Sequence, residues 1–311
     1  MYDKELIEKL KKINLTLNNA KNNIPSKEYI REKLEQVGGN FSFIKENVSL
    51  DINLMGVDGS FNSFGANYPH QILVFRALAK TTRGSSHMIS DVVCPMEDKV
   101  KAEIAKISEN SNLSYSDAMT KLVKIKLASM ELQVAVEAIK KNKPDVIFMD
   151  GSLIRYKIED AKGWEELKSQ CLVNDITIGG VIEEIGTNSI SQKLEIHGYD
   201  RETLFNLFKP NEKLIFHNIK EELSTIFYRP SNDPHPVGMD CLFEQKGKIE
   251  EMVSLANHLT PKGGRGIPIW LDIVDNEVRI TTKAIKALIE NHLDEDIKRV
   301  FFVPKRDNRV I

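Results

Sequence analysis

Apolar residues recur at helical spacing in the N-terminal part of the chain. Over residues 3–22 they fall three or four positions apart, as on one face of a helix: Leu6, Leu10, Ile13 and Leu17. A second amphipathic segment follows, in which Ser26 with Glu28 in the next turn is a typical N-cap arrangement. The pattern predicts two helices, each with one apolar stripe. Such helices pack on a core, and some also mediate dimer or partner contacts.

The middle of the chain predicts strands on either side of one long helical region. Apolar runs separated by the turn signals GANYP and TTRGSS predict three strands in close succession: 51–57, 70–79 and 88–95. The helical pattern then covers residues 96–142 and is broken near SENSNLS, where Ser114 and Asp117 can cap its second half. A short apolar run at residues 145–150 predicts a buried strand.

The remaining pattern alternates helices and strands. Helices are predicted over residues 160–172, 247–258 and 281–292. Strands are predicted over residues 174–184 and 267–274, with LSTIFYRP and GMDCLFEQ as an antiparallel pair. Three meandering strands, a helix, a strand and then alternating elements are the order of the ribonuclease-H-like architecture. We therefore expect an α/β fold, a ribonuclease-H-like mixed sheet flanked by helices, with N-terminal helices and a helical insertion at residues 96–130.

The composition adds exclusions to this picture. With 41% hydrophobic and 28% charged residues, the chain is of ordinary globular composition. Its net charge of -2 argues against an overall basic nucleic-acid binder but permits a local basic groove. Cys94, Cys171 and Cys241 are too widely separated to indicate a disulfide framework or a zinc site. No apolar run approaches 18 residues, and the N-terminus has no apolar signal core, so we expect a cytoplasmic protein without a membrane partner.

Two stretches carry the same triplet after an apolar run: MGVDGSFNSF at residues 55–64 and IFMDGSLIRY at residues 147–156. Each places an aspartate, Asp58 or Asp150, where a predicted strand meets a turn, and the following glycine lets a substrate backbone approach. If the strands are neighbours, the two carboxylates can share a metal ion. Phosphodiester hydrolysis with Mg²⁺ or Mn²⁺ needs several carboxylates at one point. The alternative is that each aspartate begins an ordinary turn.

A third ligand would have to come from the helix between the two triplets. Glu131 and Glu137 in MELQVAVEAIKK are the candidates. The apolar stripe of this helix is formed by four residues: Leu127, Met130, Val134 and Ala138. Glu131 lies beside the stripe, whereas Glu137 lies farther round toward the polar side. Its angular position on the helix favours Glu131, and Glu137 stays open as the alternative.

Together these motifs resemble the NurA nucleases, DNA-end-processing enzymes of archaea and bacteria with a ribonuclease-H-like core. The resemblance covers residues 50–290 and rests on VDGS, a helical glutamate, DGSLI and a late (I/Y)P-x-x-L-x-x-x-D segment. It implies manganese ligands, with magnesium as the alternative ion, at four positions: Asp58, Glu131, Asp150 and Asp275. Glu131 matches because it lies 19 positions before Asp150. Asp272 is a rival for Asp275, although alternation along a strand would turn it to the opposite face.

The resemblance also implies an assembly and a set of partners. Residues 46–311 would form the nuclease domain, and the N-terminal helices in residues 1–45 would make dimer or partner contacts. The implied partners are DNA (single strands or ends), a second copy of the chain in a homodimer, and a HerA-type hexameric ATPase that supplies translocation. The chain departs from the family in one place. Many relatives carry a lysine soon after the fifth strand, where this chain has Glu183 and Glu184, so a cationic helper is not expected there.

Five residues are predicted to contact DNA. The loop TTRGSSH carries Arg83, and TPKGGRG carries Lys262 and Arg265, so each combines cations with flexible glycines that suit a phosphate backbone. Tyr228 and Arg229 in IFYRPSNDPHP lie where a strand passes into a loop, a position that resembles an aromatic substrate contact of the family.

The sequence thus predicts a metal-dependent DNA nuclease that processes DNA ends in double-strand break repair by two-metal-ion hydrolysis. The family implies 5′–3′ exonuclease activity, with single-strand endonuclease activity as an extension. Two alternatives stay open. The two Asp-Gly-Ser segments could be the phosphate loops of an actin-like or sugar-kinase-like ATP-binding protein, although no late glycine-rich adenosine loop is present. The chain could also be a non-catalytic DNA clamp that keeps the fold.

Overall fold

The computed structural model describes residues 3–46, 48, 51–218 and 222–303. Nine strands within these residues form one sheet: β1 Asn40–Phe43, β2 Leu54–Gly65, β3 Gln71–Thr81, β4 Ser86–Val93, β5 Val146–Asp150, β6 Thr177–Ile182, β7 Glu212–Asn218, β8 Leu223–Tyr228 and β9 Val237–Leu242. Their order across the sheet is β1-β7-β8-β9-β6-β5-β2-β3-β4. β2, β5 and β6 are parallel at the centre, and the other neighbouring pairs are antiparallel.

Helices precede, interrupt and follow these strands. They are α1 Lys4–Asn22, α2 Lys27–Gln36, α3 Asp98–Ser111, α4 Tyr115–Asn142, α5 Leu153–Glu159, α6 Ala161–Val173, α7 Ser189–Lys193, α8 Asp200–Leu204, α9 Ile249–His258, α10 Ile269–Val278, α11 Thr282–His292 and α12 Glu295–Phe301. A 3-10 turn, Phe243–Lys248, leads into α9. The predicted break in the long helical region is the junction of α3 and α4.

The two faces of the sheet are covered by different helices. α4 lies over the central strands on one face, where Met55, Val57 and Met149 join its apolar residues in the largest hydrophobic cluster. On the other face, residues of α9 and α10 pack over Phe148 and Val181. A mixed sheet with a parallel centre and helices on both faces confirms the ribonuclease-H-like prediction.

The main error of the sequence prediction concerns residues 267–274, predicted as a strand: from Ile269 onward they form helix α10. Pro268 precedes its first residue, and the buried residues Leu271, Val274 and Val278 recur at helical spacing. They pack toward β2 and β3, since a Cβ added to Gly56 would lie 2.9 Å from Val274 Cγ2. A short apolar run cannot be assigned to a strand or a helix by periodicity alone. The prediction also missed β1, β7, α5 and several short helices.

The two predicted N-terminal helices are present but differ in their packing. α2 is capped by Ser26 and buries Ile30 and Leu34 in a cluster with residues of β7 and β8. α1 buries none of its side chains. β1 pairs with β7, so part of the segment 1–45 belongs to the same sheet as the rest of the chain. No helix in the described part of the chain combines the length and apolarity needed to span a membrane.

Candidate active site

Asp58 and Asp150 lie side by side at the centre of the sheet. The parallel register of β2 and β5 pairs Val57 with Met149, so the two aspartates form the next pair along the strands. Their carboxyl groups are close enough to influence each other's pKa, and Asp58 is only 6% exposed. Asp150 ends its strand as predicted. Asp58 does not, because β2 continues in antiparallel pairing with β3 as far as Gly65.

Glu131 approaches the aspartates from the α4 face of the sheet. Its side chain is 1% exposed and crosses the backbone of Gly59: a Cβ on this glycine would lie 2.4 Å from Glu131 Oε1 and 2.8 Å from Leu127 Cδ1. Gly59 therefore leaves space for a carboxylate of the protein itself. From the sequence, the approach of a substrate backbone was expected at this glycine. Glu137 is hydrogen-bonded to His87 at 2.6 Å, so Glu131 is the α4 carboxylate of the cluster.

Two consecutive residues of α5 hold the Glu131 carboxylate. The Tyr156 hydroxyl donates to Glu131 Oε2 at 2.6 Å and lies 3.2 Å from the carbonyl oxygen of Asp150. Arg155 donates from Nη2 to the same carboxylate oxygen, and its guanidinium lies 4.5 Å from the centroid of the Tyr156 ring. These contacts fix the orientation of Glu131, as partners outside the ligand sphere do in metal sites.

The start of α5 is anchored by a buried aspartate on β9. Asp240 is 3% exposed and accepts hydrogen bonds from Ser152 Oγ, from Leu153 N at 3.2 Å and from Thr225 Oγ1 at 2.7 Å. Gly151 has φ of 99°, a left-handed conformation that favours glycine, and turns the chain from β5 into this helix. The second triplet therefore does form a turn, and Asp240 holds that turn in place.

α10 contributes Asp275 from the face opposite α4. Asp275 is partly buried and is paired with Arg279 one turn later on the same helix. Asp272 is instead bound by Arg265, whose Nε and Nη2 donate to it at 3.2 and 2.6 Å, while Nη1 donates to Glu183 at 2.7 Å. The negative charge of Asp275 acts on both central aspartates, which makes it the α10 carboxylate of the cluster. Helical geometry decides this, not the strand alternation that the sequence suggested.

Burial and mutual repulsion raise the pKa values of the central carboxyl groups. Burial raises the pKa of Asp58 to about 8, and the charges of Asp150 and Glu131 add to the effect. Burial likewise raises the pKa of Asp150. For Glu131, burial raises the pKa to about 7, although the nearby Arg155 opposes it. Ionising these groups together is unfavourable unless a cation compensates the charge.

The donor set suits a hard divalent cation. Carboxylate oxygens are the ligands that Mg²⁺ and Mn²⁺ prefer. Four residues, each on a different helix or strand, supply them here: Asp58, Glu131, Asp150 and Asp275. Within the described ranges, no three acidic, histidine or cysteine side chains are already arranged as a metal site. Such a cation would offset the burial and the repulsion that together raise the pKa of Asp58, so the residues fit it in chemistry and charge.

The structure places the predicted cationic DNA contacts at different distances from the cluster. Arg265 is close enough for its charge to lower the pKa of Asp150, against the larger effect of burial. Lys262, in the same loop, donates to Asn211 Oδ1 at 2.9 Å and to the carbonyl of Pro230 at 3.2 Å. Arg83 lies in the β3–β4 turn, beside the first residue of β2 and thus at the end of the sheet away from Asp150.

Tyr228 and Arg229 make contacts within the protein itself. Tyr228 is 0% exposed within the α9–α10 cluster, so it is not available for stacking on a base, and the predicted aromatic contact is wrong. Arg229 donates to three backbone carbonyl oxygens, those of Phe208, Asn232 and Asp233, at 2.8 to 3.1 Å. Its guanidinium therefore holds neighbouring loops together.

Tyr228→Phe is expected to raise the free energy of unfolding by about 1 kcal/mol and to leave DNA affinity unchanged. The buried Tyr228 hydroxyl has no hydrogen-bond partner within the described part of the chain, and an unsatisfied buried polar group is destabilising. Urea denaturation and fluorescence anisotropy with labelled DNA measure the two effects. The matched control is Tyr156→Phe, which removes a hydroxyl that is hydrogen-bonded to Glu131 and should lower stability. Weakened DNA binding by Tyr228→Phe would contradict this expectation and support a contact between Tyr228 and DNA.

Three residues of the site were missed by the sequence analysis: Arg155, Tyr156 and Asp240. The signals were present but weak. Arg155 and Tyr156 follow the second triplet directly in DGSLIRY, and Asp240 interrupts the otherwise apolar GMDCLF. A charged residue within a buried strand indicates a hydrogen-bonded partner nearby, because burying it alone is too unfavourable.

Comparisons with known proteins bear on the family and the fold of the chain. The family model of the NurA domain matches residues 53–280. The chain is similar in structure to the NurA nuclease from Sulfolobus solfataricus, with 14% identity, a TM-score of 0.58 and coverage of 93% of this chain and 96% of that chain. It is similar to NurA bound to dAMP and manganese, with 10% identity, a TM-score of 0.56 and coverage of 97% and 100%. Comparison with curated proteins found no significant match. The family match spans most of the chain, and the structural matches share its fold.

Proposed function

The chain belongs to the NurA nuclease family, and on that premise we propose that it is a metal-dependent deoxyribonuclease that processes DNA ends. The observation that carries the proposal is the pairing of Asp58 with Asp150 on adjacent parallel strands, with Glu131 and Asp275 reaching them from the two faces of the sheet. All four lie within the segment that the family model matches. We propose Mn²⁺ as the ion, because two NurA structures contain manganese, with Mg²⁺ as the alternative of the same ligand preference.

The four carboxylates would hold the cations, each from its own element. A divalent cation in such a site activates water as a nucleophile and stabilises the charge that develops on the phosphate. The protein's own contribution is rigid placement: Gly59 admits Glu131 through the sheet, Tyr156 orients it, and Asp240 fixes the turn after Asp150. Because Asp58 and Glu131 are almost fully buried, water is largely excluded from the inner side of the cluster.

We extend the proposal to the activity and partners that the family resemblance implies. These are 5′–3′ exonuclease activity, single-strand endonuclease activity, a role in double-strand break repair, a homodimer and a HerA-type hexameric ATPase. In support, α1 in the segment 1–45 exposes its apolar stripe, with Leu10 57% and Leu17 61% accessible. A stripe of this kind suits contact with another polypeptide.

The alternative of an ATP-binding protein with two phosphate loops loses its basis in this structure. Asp58, Gly59 and Ser60 are paired with Leu78, Ala77 and Arg76 inside a continuous β-hairpin, so the first triplet forms no loop that could surround a phosphate. A non-catalytic clamp would have the same fold and would differ from the nuclease only in that it does not cleave DNA. An activity assay therefore decides between the clamp and the nuclease.

The purified protein is expected to cleave end-labelled single- and double-stranded DNA in Mn²⁺ and to lose the activity in EDTA. Parallel reactions in Mg²⁺, and with Asp150→Ala, test the ion and the carboxylate site. Release of mononucleotides from 5′-labelled DNA would indicate 5′–3′ polarity. No cleavage with either ion, alone or with an added HerA-type ATPase, combined with retained DNA binding would support the clamp.

A further inference from the structure

Arg155 is a cation inside the carboxylate cluster, and its bond to Glu131 uses only part of the hydrogen-bonding capacity of its guanidinium. We propose that its guanidinium binds the non-bridging oxygens of the DNA phosphodiester at the point of cleavage, an inference that rests on the proposed nuclease function. In this arrangement Arg155 is a catalytic residue that touches substrate. Its bond to Glu131 then sets the position of the guanidinium as much as the position of the carboxylate.

The hydrogen bonding of the neighbouring arginines sets Arg155 apart. Arg265 donates three hydrogen bonds to two carboxylates, and Arg229 donates to three backbone carbonyls. Arg155 bonds through Nη2 to one oxygen of Glu131, and its buried Nε has no hydrogen-bond partner among the residues that the structure describes. A guanidinium presents five N–H donors in a planar fork that matches two oxygens of a phosphate. A phosphate group could accept hydrogen bonds from the exposed end of the guanidinium without displacing the bond to Glu131.

The position of Arg155 also suits contact with a substrate. The side chain is 39% exposed, while its partner Glu131 is almost fully buried, so Arg155 extends from the interior of the cluster to its surface. It passes over the second triplet, where Cζ and Nη1 lie 3.9 Å from the place that a Gly151 Cβ would occupy. A substrate phosphate next to Asp150 would therefore meet the guanidinium directly.

The surroundings of Arg155 keep it rigid. The Tyr156 ring lies against the guanidinium, and the first turn of α5 is tied to Asp240 through Ser152 and Leu153. A fixed cation stabilises charge that develops on a phosphate more effectively than a mobile one, because no reorganisation is needed during the reaction.

The test compares Arg155→Met and Arg155→Lys with the wild-type protein in three measurements. Affinity for a fluorescein-labelled single-stranded oligonucleotide is titrated against NaCl in Ca²⁺, which takes the same oxygen ligands, and the DNA is checked for intactness afterwards. Mn²⁺ affinity is measured by calorimetry, and the cleavage rate is measured in Mn²⁺. Arg299→Met is the matched control, since Arg299 lies on α12 and pairs with Glu295 on its own helix.

Arg155→Met is expected to lower the slope of log affinity against log salt by about 0.7, the value for one phosphate contact with a single strand. Its cleavage rate should fall roughly 100-fold, while Mn²⁺ affinity stays at or above that of the wild type. Arg155→Lys should keep the slope, because it keeps the charge, but should lose rate because its ammonium group lacks the planar fork. Arg299→Met should match the wild type throughout.

An unchanged salt slope in Arg155→Met would overturn the assignment of Arg155. If Mn²⁺ affinity also falls tenfold or more in that variant, its behaviour is that of a residue that only orients Glu131. Loss of the slope in Arg155→Lys would contradict the role of charge even if the methionine variant fails to fold. A wild-type protein that neither binds nor cleaves DNA would overturn the proposed function and the role of Arg155 together.

Discussion

Asp58→Asn is expected to lower Mn²⁺-dependent DNA cleavage by at least about 100-fold. The Asp58 carboxylate is close enough to Asp150 and Glu131 for their charges to act on it, and replacing it with an amide removes a negatively charged ligand from the donor set. Metal ligation contributes several kcal/mol of transition-state stabilisation, and about 2.7 kcal/mol corresponds to a 100-fold change in rate. End-labelled DNA in Mn²⁺ measures the effect. Activity within a few-fold of the wild type would remove Asp58 from the site.

The same substitution should stabilise the metal-free protein at alkaline pH. The folded-state pKa of Asp58 is about 8, against an ordinary value of 3.8, so between these values the folded protein binds a proton that the unfolded chain has released. The stability of the wild-type protein therefore falls as pH rises through this window, by up to about 1.4 kcal/mol per pH unit for each such group. Asp58→Asn removes the contribution of Asp58 to this loss of stability with rising pH.

Urea denaturation in EDTA at pH 5 and pH 8 separates the two effects of Asp58→Asn. The variant should lose less stability than the wild type between the two pH values, although its activity is lower. Asp98→Asn is the control, because Asp98 is a fully exposed carboxylate on α3 that should change neither property. Equal losses of stability in wild type and Asp58→Asn would contradict the raised pKa.

Gly59→Ala is expected to reduce both stability and metal affinity. The new Cβ would lie 2.4 Å from Glu131 Oε1 and 2.8 Å from Leu127 Cδ1, so the carboxylate must leave its place over the strand. Overpacking of this kind costs about 1–3 kcal/mol of stability. Because Glu131 also loses its alignment with Tyr156, Mn²⁺ affinity and the cleavage rate should each fall at least about tenfold.

Gly179→Ala on β6 provides the matched control for Gly59→Ala. Its Cβ would lie 2.8 Å from Met252 Sδ, in the apolar cluster under α9 and away from the carboxylates. It should lower stability without changing Mn²⁺ affinity, which calorimetry can measure for both variants. If Gly59→Ala binds Mn²⁺ as tightly as the wild type, Glu131 is not held through this glycine.

Local patterns predicted the elements whose residues share one strong period. α1, α2, α4 and α11 lie within one or two residues of their predicted bounds, because amphipathic spacing and caps such as Ser26 and Ser114 are encoded locally. α10 was assigned to a strand because IPIWLDIV is short and apolar throughout. Its helical state depends on packing against β2 and β3, which no window of eight residues contains.

Some residues proposed for the site could be found from the sequence, and others could be judged only from the fold. Two aspartates after apolar runs, and a glutamate beside the stripe of the intervening helix, can be found from sequence, and the fold then brings Asp58, Glu131 and Asp150 together. Tyr228 could not be judged from its strand-end position, because only the tertiary structure shows that it is covered by α9 and α10.

The sequence by itself determined the chemical types present, the order of the elements and the two Asp-Gly-Ser segments, since these depend on residues near one another in the chain. Only the tertiary structure decided how the carboxylates are approached and which cation accompanies them. Glu131 reaches the aspartates through the space at Gly59, Asp240 anchors α5 from a distant strand, and Arg155 fills the position beside Glu131. These contacts join residues from different elements, and their energies depend on burial and distance, which the order of residues does not contain.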